Sequence, residues 1–185
     1  MNRSKLTRGL LLVSLMALTA CAGVNPKIYE GSQPPLVLEQ YFLGQTRAWG
    51  MFQDRSGELK RSFEVDINGR MVNGELVMTE DFVYNDGEKS QRIWRIKRLD
   101  ANHYEGRADD VIGVAKGVVH GRALNWTYTL ALPVGEQTYH VQFDDWMYLM
   151  DERVMLNKAV MSKFGVRLGE VTLSFTKQPW AGACP

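Results

Sequence analysis

Residues 122–150 read RALNWTYTLALPVGEQTYHVQFDDWMYLM. In the first half Leu124, Trp126, Tyr128, Leu130 and Leu132 fall on alternate positions. In the second half Val141, Phe143, Asp145, Met147 and Leu149 do the same. Side chains of a strand point alternately to its two faces, so each run has one face suited to a core. Pro133-Val134-Gly135 between them supplies turn chemistry. Two alternating runs joined by a short turn make an antiparallel hairpin.

The pattern continues in both directions. Turn-forming clusters recur at Asp54-Arg55-Ser56-Gly57, Asn68-Gly69, Asn85-Asp86-Gly87, Asp100-Ala101-Asn102 and His120-Gly121. Of these, Asn68-Gly69 is the strongest short-range hairpin signal, since both residues of such a turn take positive φ. The spacing predicts strands over 46–53, 59–67, 70–84, 89–99, 103–119 (one strand or two), 122–132, 136–150 and 169–177. Inward faces carry Phe63, Val65 and Ile67; Val72, Leu76, Met78 and Phe82; and Val171, Leu173 and Phe175. Residues 151–164 break the rhythm, and Val154, Met155, Lys158, Ala159, Met161 and Ser162 predict a short helix capped by Gly165. So many antiparallel strands must close or cover their edges. The expectation is an all-β, antiparallel up-and-down barrel of about 8–10 strands with one short helix before the last strand. A β-sandwich is the alternative. A barrel embedded in a bilayer fits poorly, because Arg61, Glu64 and Asp66 put charge within strands.

The N-terminus has the parts of an export signal: Arg3, Lys5 and Arg8, then an apolar run from Gly9 to Leu18, then small residues before Cys21. The run is too short to span a bilayer, which takes roughly 20 apolar residues. Leu18-Thr19-Ala20-Cys21 resembles the bacterial lipobox, which implies cleavage after residue 20 and a diacylglycerol on Cys21. Ala22 is not the aspartate of an inner-membrane retention signal, so the expected location is the outer membrane, facing the periplasm. Residues 21–35 contain Pro26, Pro34 and Pro35 and read as a lipidated tether; 36–178 form the barrel domain and 179–185 a tail containing Cys184. Without the signal, 19 basic residues face 21 acidic ones. That balance argues against a nucleic-acid partner.

Two resemblances bear on the fold. Tyr41-Phe42-Leu43-Gly44 followed by Trp49-Gly50 resembles the first strand of lipocalins, although four residues separate Gly44 from Trp49 where lipocalins have one. Over nearly the whole chain beyond the signal, Phe42-Leu43-Gly44, Gly50-Met51-Phe52, Asn125-Trp126-Thr127-Tyr128, Phe143-Asp144-Asp145-Trp146-Met147-Tyr148 and Ser162-Lys163-Phe164-Gly165 resemble a family of uncharacterised proteobacterial lipoproteins with a lipocalin-like (calycin) barrel. The resemblance implies a barrel that binds a small apolar molecule. It implies no activity.

Polar residues on apolar faces are the candidates for function. Asp145 interrupts the inward face of 141–149, Glu80 that of 72–82, and Arg92 and Arg98 share parity with Trp94 and Ile96. A carboxylate inside a barrel needs partners. A cluster of Glu80, Asp145 and one of Arg92 or Arg98 would orient the head of an apolar ligand lying against Trp94, Trp126, Phe143 and Met147. The alternative is a salt bridge that only closes the barrel. His103, His120 and His140 have no metal-type spacing, and there is no Gly-x-Ser-x-Gly or phosphate-cradling loop, so no cofactor is expected. Three functions are open: a carrier of a fatty acid or other lipid; a lipid-modifying enzyme or isomerase using Asp145 or Glu80 as base, whose pKa would then be raised; and a structural envelope protein with a filled core.

Overall fold

The computed structural model describes residues 23–177; Cys21, the signal segment and the C-terminal tail with Cys184 lie outside them. Ten strands follow one another: β1 (Gly44–Asp54), β2 (Leu59–Val72), β3 (Glu75–Tyr84), β4 (Lys89–Arg98), β5 (His103–Arg107), β6 (Val111–His120), β7 (Ala123–Val134), β8 (Gln137–Leu149), β9 (Val154–Lys163) and β10 (Val166–Lys177). Each pairs antiparallel with the next, and β1 closes on β10 from Thr46 opposite Lys177 to Asp54 opposite Gly169. Closure leaves no sheet edge among the described residues for another chain to extend. The fold is a lipocalin-like antiparallel barrel, and the hairpin quoted first is its β7–β8 pair, with Trp126 opposite Asp145 and Tyr128 opposite Phe143.

Two local expectations are corrected. The predicted helix at 151–164 is strand β9, paired on one side with β8 and on the other with β10. Its Met, Leu, Lys and Ala residues favour a helix, but two neighbouring ladders satisfy its backbone as a strand, and that context overrides propensity. Met155, Asn157, Ala159 and Met161 are its buried face. A helix among the described residues lies at the other end: α1 (Leu38–Phe42) precedes the first strand. Asn68-Gly69 is not a turn either, because β2 runs through it to Val72 and the chain reverses at Asn73-Gly74, with φ of 52° and 84°. Gly69 serves a different end. A Cβ there would stand 1.9 Å from the carbonyl oxygen of Phe42, so glycine lets the end of α1 cross against β2. The stretch 103–119 is two strands, β5 and β6.

Helix α1 plugs one end of the barrel with Leu38, Tyr41 and Phe42, all buried. Tyr41 donates its hydroxyl to the Arg153 carbonyl at 2.9 Å, and Phe42 meets Phe175 edge-on with centroids 5.8 Å apart. The β1–β2, β3–β4, β5–β6, β7–β8 and β9–β10 turns gather at the opposite end, the mouth. Residues 25–35, read as tether, lie against the outer wall. A short 3-10 turn at Pro26–Tyr29 sets the Tyr29 ring edge-on to Trp146 and Tyr148, at 6.0 and 5.5 Å. The Arg122 amide donates to Ser32 Oγ at 3.0 Å, and the Leu36 amide donates to the Gly121 carbonyl at 2.8 Å.

Candidate functional site

The interior encloses a cavity of about 200 Å³. Its floor is apolar: Leu38 and Phe42 of the plug, with Ile67, Met78, Ile96 and Phe175 from the wall. Toward the mouth stand Phe63, Phe82 and Phe143. Between floor and rim runs a polar band. The reason is register: on β3 Glu80 is one inward step below Phe82, and on β8 Asp145 is one inward step below Phe143. Arg92 lies directly opposite Glu80 on β4. Tyr128 on β7 and Asn157 on β9 complete the band.

The band is unevenly satisfied. Arg92 is engaged by Asp110 of the β5–β6 turn, its Nε donating to Oδ1 at 3.0 Å and Nη2 lying 2.8 Å from Oδ2. Its guanidinium also lies over the Trp94 ring, 4.9 Å from the centroid. Burial opposes the Arg92 charge, but Tyr128, Glu80 and Asp110 outweigh it and raise its pKa. Asp145, 7% exposed, accepts a very short hydrogen bond from Asn157 Nδ2 and a long one, 3.4 Å, from the Tyr128 hydroxyl. Burial pushes its carboxyl up to about 6, although the two hydrogen bonds and Arg92 pull the other way. Glu80 has neither a hydrogen bond nor an ion pair among the described residues. Burial drives its carboxyl up to about 7; Arg92 opposes the shift, while Asp110 and Asp145 add to it. Tyr128 is held far above its ordinary value by burial and then by Asp145, so it stays a neutral donor.

Aromatic rings wall the band. Tyr128 stacks on Phe143 with centroids 4.9 Å apart, and Trp94 stacks on Trp126 at 6.4 Å. The indoles have space because β5 and β6 supply glycine: a Cβ on Gly117 would lie 2.9 Å from Trp126, and one on Gly106 would lie 3.1 Å from Trp94.

Of the residues singled out from sequence, the fold brings Glu80, Arg92, Trp94, Trp126, Phe143, Asp145 and Met147 around this one cavity. Arg98 lies apart. It has the inward parity, but β4 ends there, and its guanidinium turns to the Asp100 and Ala101 carbonyls at 2.9 and 3.2 Å. Sequence reasoning missed Asn157, Tyr128 and Asp110. Reading 154–163 as a strand places Asn157 inward with Met155 and Ala159; Tyr128 passed as an ordinary core aromatic, and Asp110 sits on a turn where parity gives no direction.

The family model for DUF3833, proteins of unknown function, matches residues 15–177. The chain belongs to that family. No curated protein matches this DUF3833 sequence. Among solved structures, this DUF3833 barrel is similar to the S-type phycobiliprotein lyase CPES from Guillardia theta, with a TM-score of 0.58 and 8% identity over 78% of this chain and 94% of that one. It is also similar to a protein of unknown function from the DUF3598 family of Nostoc punctiforme, with a TM-score of 0.58 and 11% identity. That match covers 78% of this chain and 51% of the other, so the chain spans about half the length of the Nostoc protein. At these identities the likeness is one of fold.

Proposed function

We propose that this DUF3833 protein is a binding module that holds one small, mostly apolar molecule with a polar group inside its barrel, tethered by a lipid on Cys21 at the periplasmic face of the outer membrane. The observation that carries the reading is the cavity, apolar above and below a band in which Glu80 has no partner. Small barrels are able to fill their interiors with side chains. Apolar lining left in contact with water costs about 25 cal/mol per Å². A bound apolar molecule offsets that cost, and the space suits a single-chain lipid or compact aromatic. A barrel built only as a filled scaffold would not carry the void.

Native mass spectrometry of the barrel without its first 22 residues tests the binding. A co-purifying small molecule that leaves on denaturation, and displacement of a fluorescent apolar probe by single-chain lipids, are expected. Failure of every single-chain lipid and alcohol to displace the probe would sink the reading. For the tether, Cys21→Ser is expected to abolish incorporation of labelled palmitate and move the protein to the soluble periplasmic fraction. Persistence of the label would remove the anchor from the proposal. A second reading, proton transfer on a bound molecule, draws on Glu80, whose pKa near 7 suits a general base beside an apolar cavity. Turnover of a bound lipid that disappears in Glu80→Gln would favour it over simple carriage.

A further inference from the structure

The charge inventory of the polar band restricts what its occupant carries. Arg92 is the only cation among the described residues lining the cavity, and it is already held by Asp110 through two of its nitrogens. The Arg92 Nη2 has this ion pair without a hydrogen bond, whereas the neutral donors of the band are spent. Asn157 Nδ2 serves Asp145 and the Trp146 carbonyl, and the Tyr128 hydroxyl is directed at Asp145. Apart from the Arg92 Nη2, what remains is acceptor capacity: the Glu80 carboxyl, with no partner, and Asp145, with only neutral donors. The wall between β3 and β9 brings no compensating charge, since β2 contributes Phe63, Val65 and Ile67 to the cavity and β10 contributes Val171, Leu173 and Phe175. Anionic head groups entering here would meet the carboxyl groups of Glu80 and Asp145, with a single cation already paired to Asp110. A protonated nitrogen would meet an unpartnered carboxylate among aromatic side chains.

Resting on the binding reading above, we propose that the cavity selects an apolar molecule bearing a basic nitrogen, whose N–H groups donate to Glu80 with Asp145 in support, over the equivalent carboxylic acid. The fatty-acid expectation is thereby narrowed to lipids and aromatics that end in an amine. Such a group binds best when Glu80 is ionised. The groups facing Glu80 are Arg92 from β4, Asp110 from the β5–β6 turn, Tyr128 from β7 and Asp145 from β8. Asp145, raised to about 6, titrates in the same direction as Glu80.

The experiment titrates octylammonium, octanoate and octanol into the protein by calorimetry at about pH 6 and about pH 8. Octylammonium is expected to bind at least about tenfold more tightly than octanoate at the higher pH, and its affinity to fall toward the lower pH as Glu80 takes up a proton. In Glu80→Gln, which keeps the shape of the side chain, that preference and the loss on acidification are expected to shrink together. Octanoate binding as tightly as octylammonium at both pH values, with octanol also bound, would overturn the amine preference and leave the binding reading standing. Binding of none of the three would overturn both. Because the wild-type pH comparison needs no variant, a Glu80→Gln protein that failed to fold would still leave the proposal testable.

Discussion

Glu80 enters the unfolded chain with an ordinary glutamate pKa and the folded barrel with one near 7, so between those values the folded protein holds a proton that the unfolded chain has released. Stability from this group is therefore complete below the unfolded pKa and is lost as pH rises through about 7. Asp145, at about 6, acts in the same sense over a lower and narrower window. One pKa unit corresponds to about 1.4 kcal/mol, which makes the Glu80 loss roughly 3 kcal/mol between weakly acidic and alkaline solution. In Glu80→Gln most of that slope is expected to vanish, leaving the variant more stable than wild type at about pH 8. Urea denaturation of both proteins across this range measures it, and parallel curves would refute the assignment. The two carboxylates were legible in sequence because each interrupts an otherwise apolar alternation. Their partners were less so: Asn157 hides in a stretch of helix-forming residues, and Asp110 approaches Arg92 from a turn.

At the scale of elements, alternation was readable wherever large apolar residues mark one face, as in β2, β3, β7, β8 and β10. It failed where the inward positions are small or polar, which is why β9, with Asn157 and Ala159 inside, resembled a helix. The five-residue α1 is shorter than two helical turns and leaves no periodicity to read. Asn68-Gly69 misled for a physical reason: glycine answers both to a turn and to a close backbone approach, and local sequence does not distinguish them. The structure separates the two uses by substitution. Gly69→Ala forces a Cβ against the Phe42 carbonyl and should cost about 1–3 kcal/mol, as overpacking does. Because the strain falls on the plug, Tyr41 should also lose its bond to Arg153, visible as altered tyrosine ultraviolet absorbance. Gly23→Ala, where nothing lies within 4 Å of the added carbon, should be close to neutral. An equal urea midpoint for the two variants would show that α1 does not depend on Gly69.

Over the whole molecule, the remaining question is where the folded body begins, since composition placed it near Leu36 and the structure has earlier residues docked on the wall. Proline and glycine content marks a segment that forms no regular element, but it does not report whether that segment is packed. Here it is packed near the plugged end, through Tyr29 against Trp146 and Tyr148 and through Ser32 and Leu36 against the β6–β7 turn. Gly121 in that turn is fitted to the contact, for a Cβ there would stand 2.1 Å from the Tyr29 carbonyl oxygen. Each edge-on aromatic pair contributes about 0.5–1.5 kcal/mol and each hydrogen bond about 1 kcal/mol. Removing residues 23–35 from the barrel should therefore destabilise it by about 2–4 kcal/mol, a fall in Tm of roughly 5–10 °C for a domain of this size. A free tether would be removed without effect. Thermal unfolding of proteins beginning at residue 23 and at residue 36 decides between them, and Tyr29→Ala in the longer protein should reproduce a large part of the loss. If Cys21 carries the lipid, docking leaves only a few residues between anchor and barrel and holds the plugged end nearer the bilayer than the mouth.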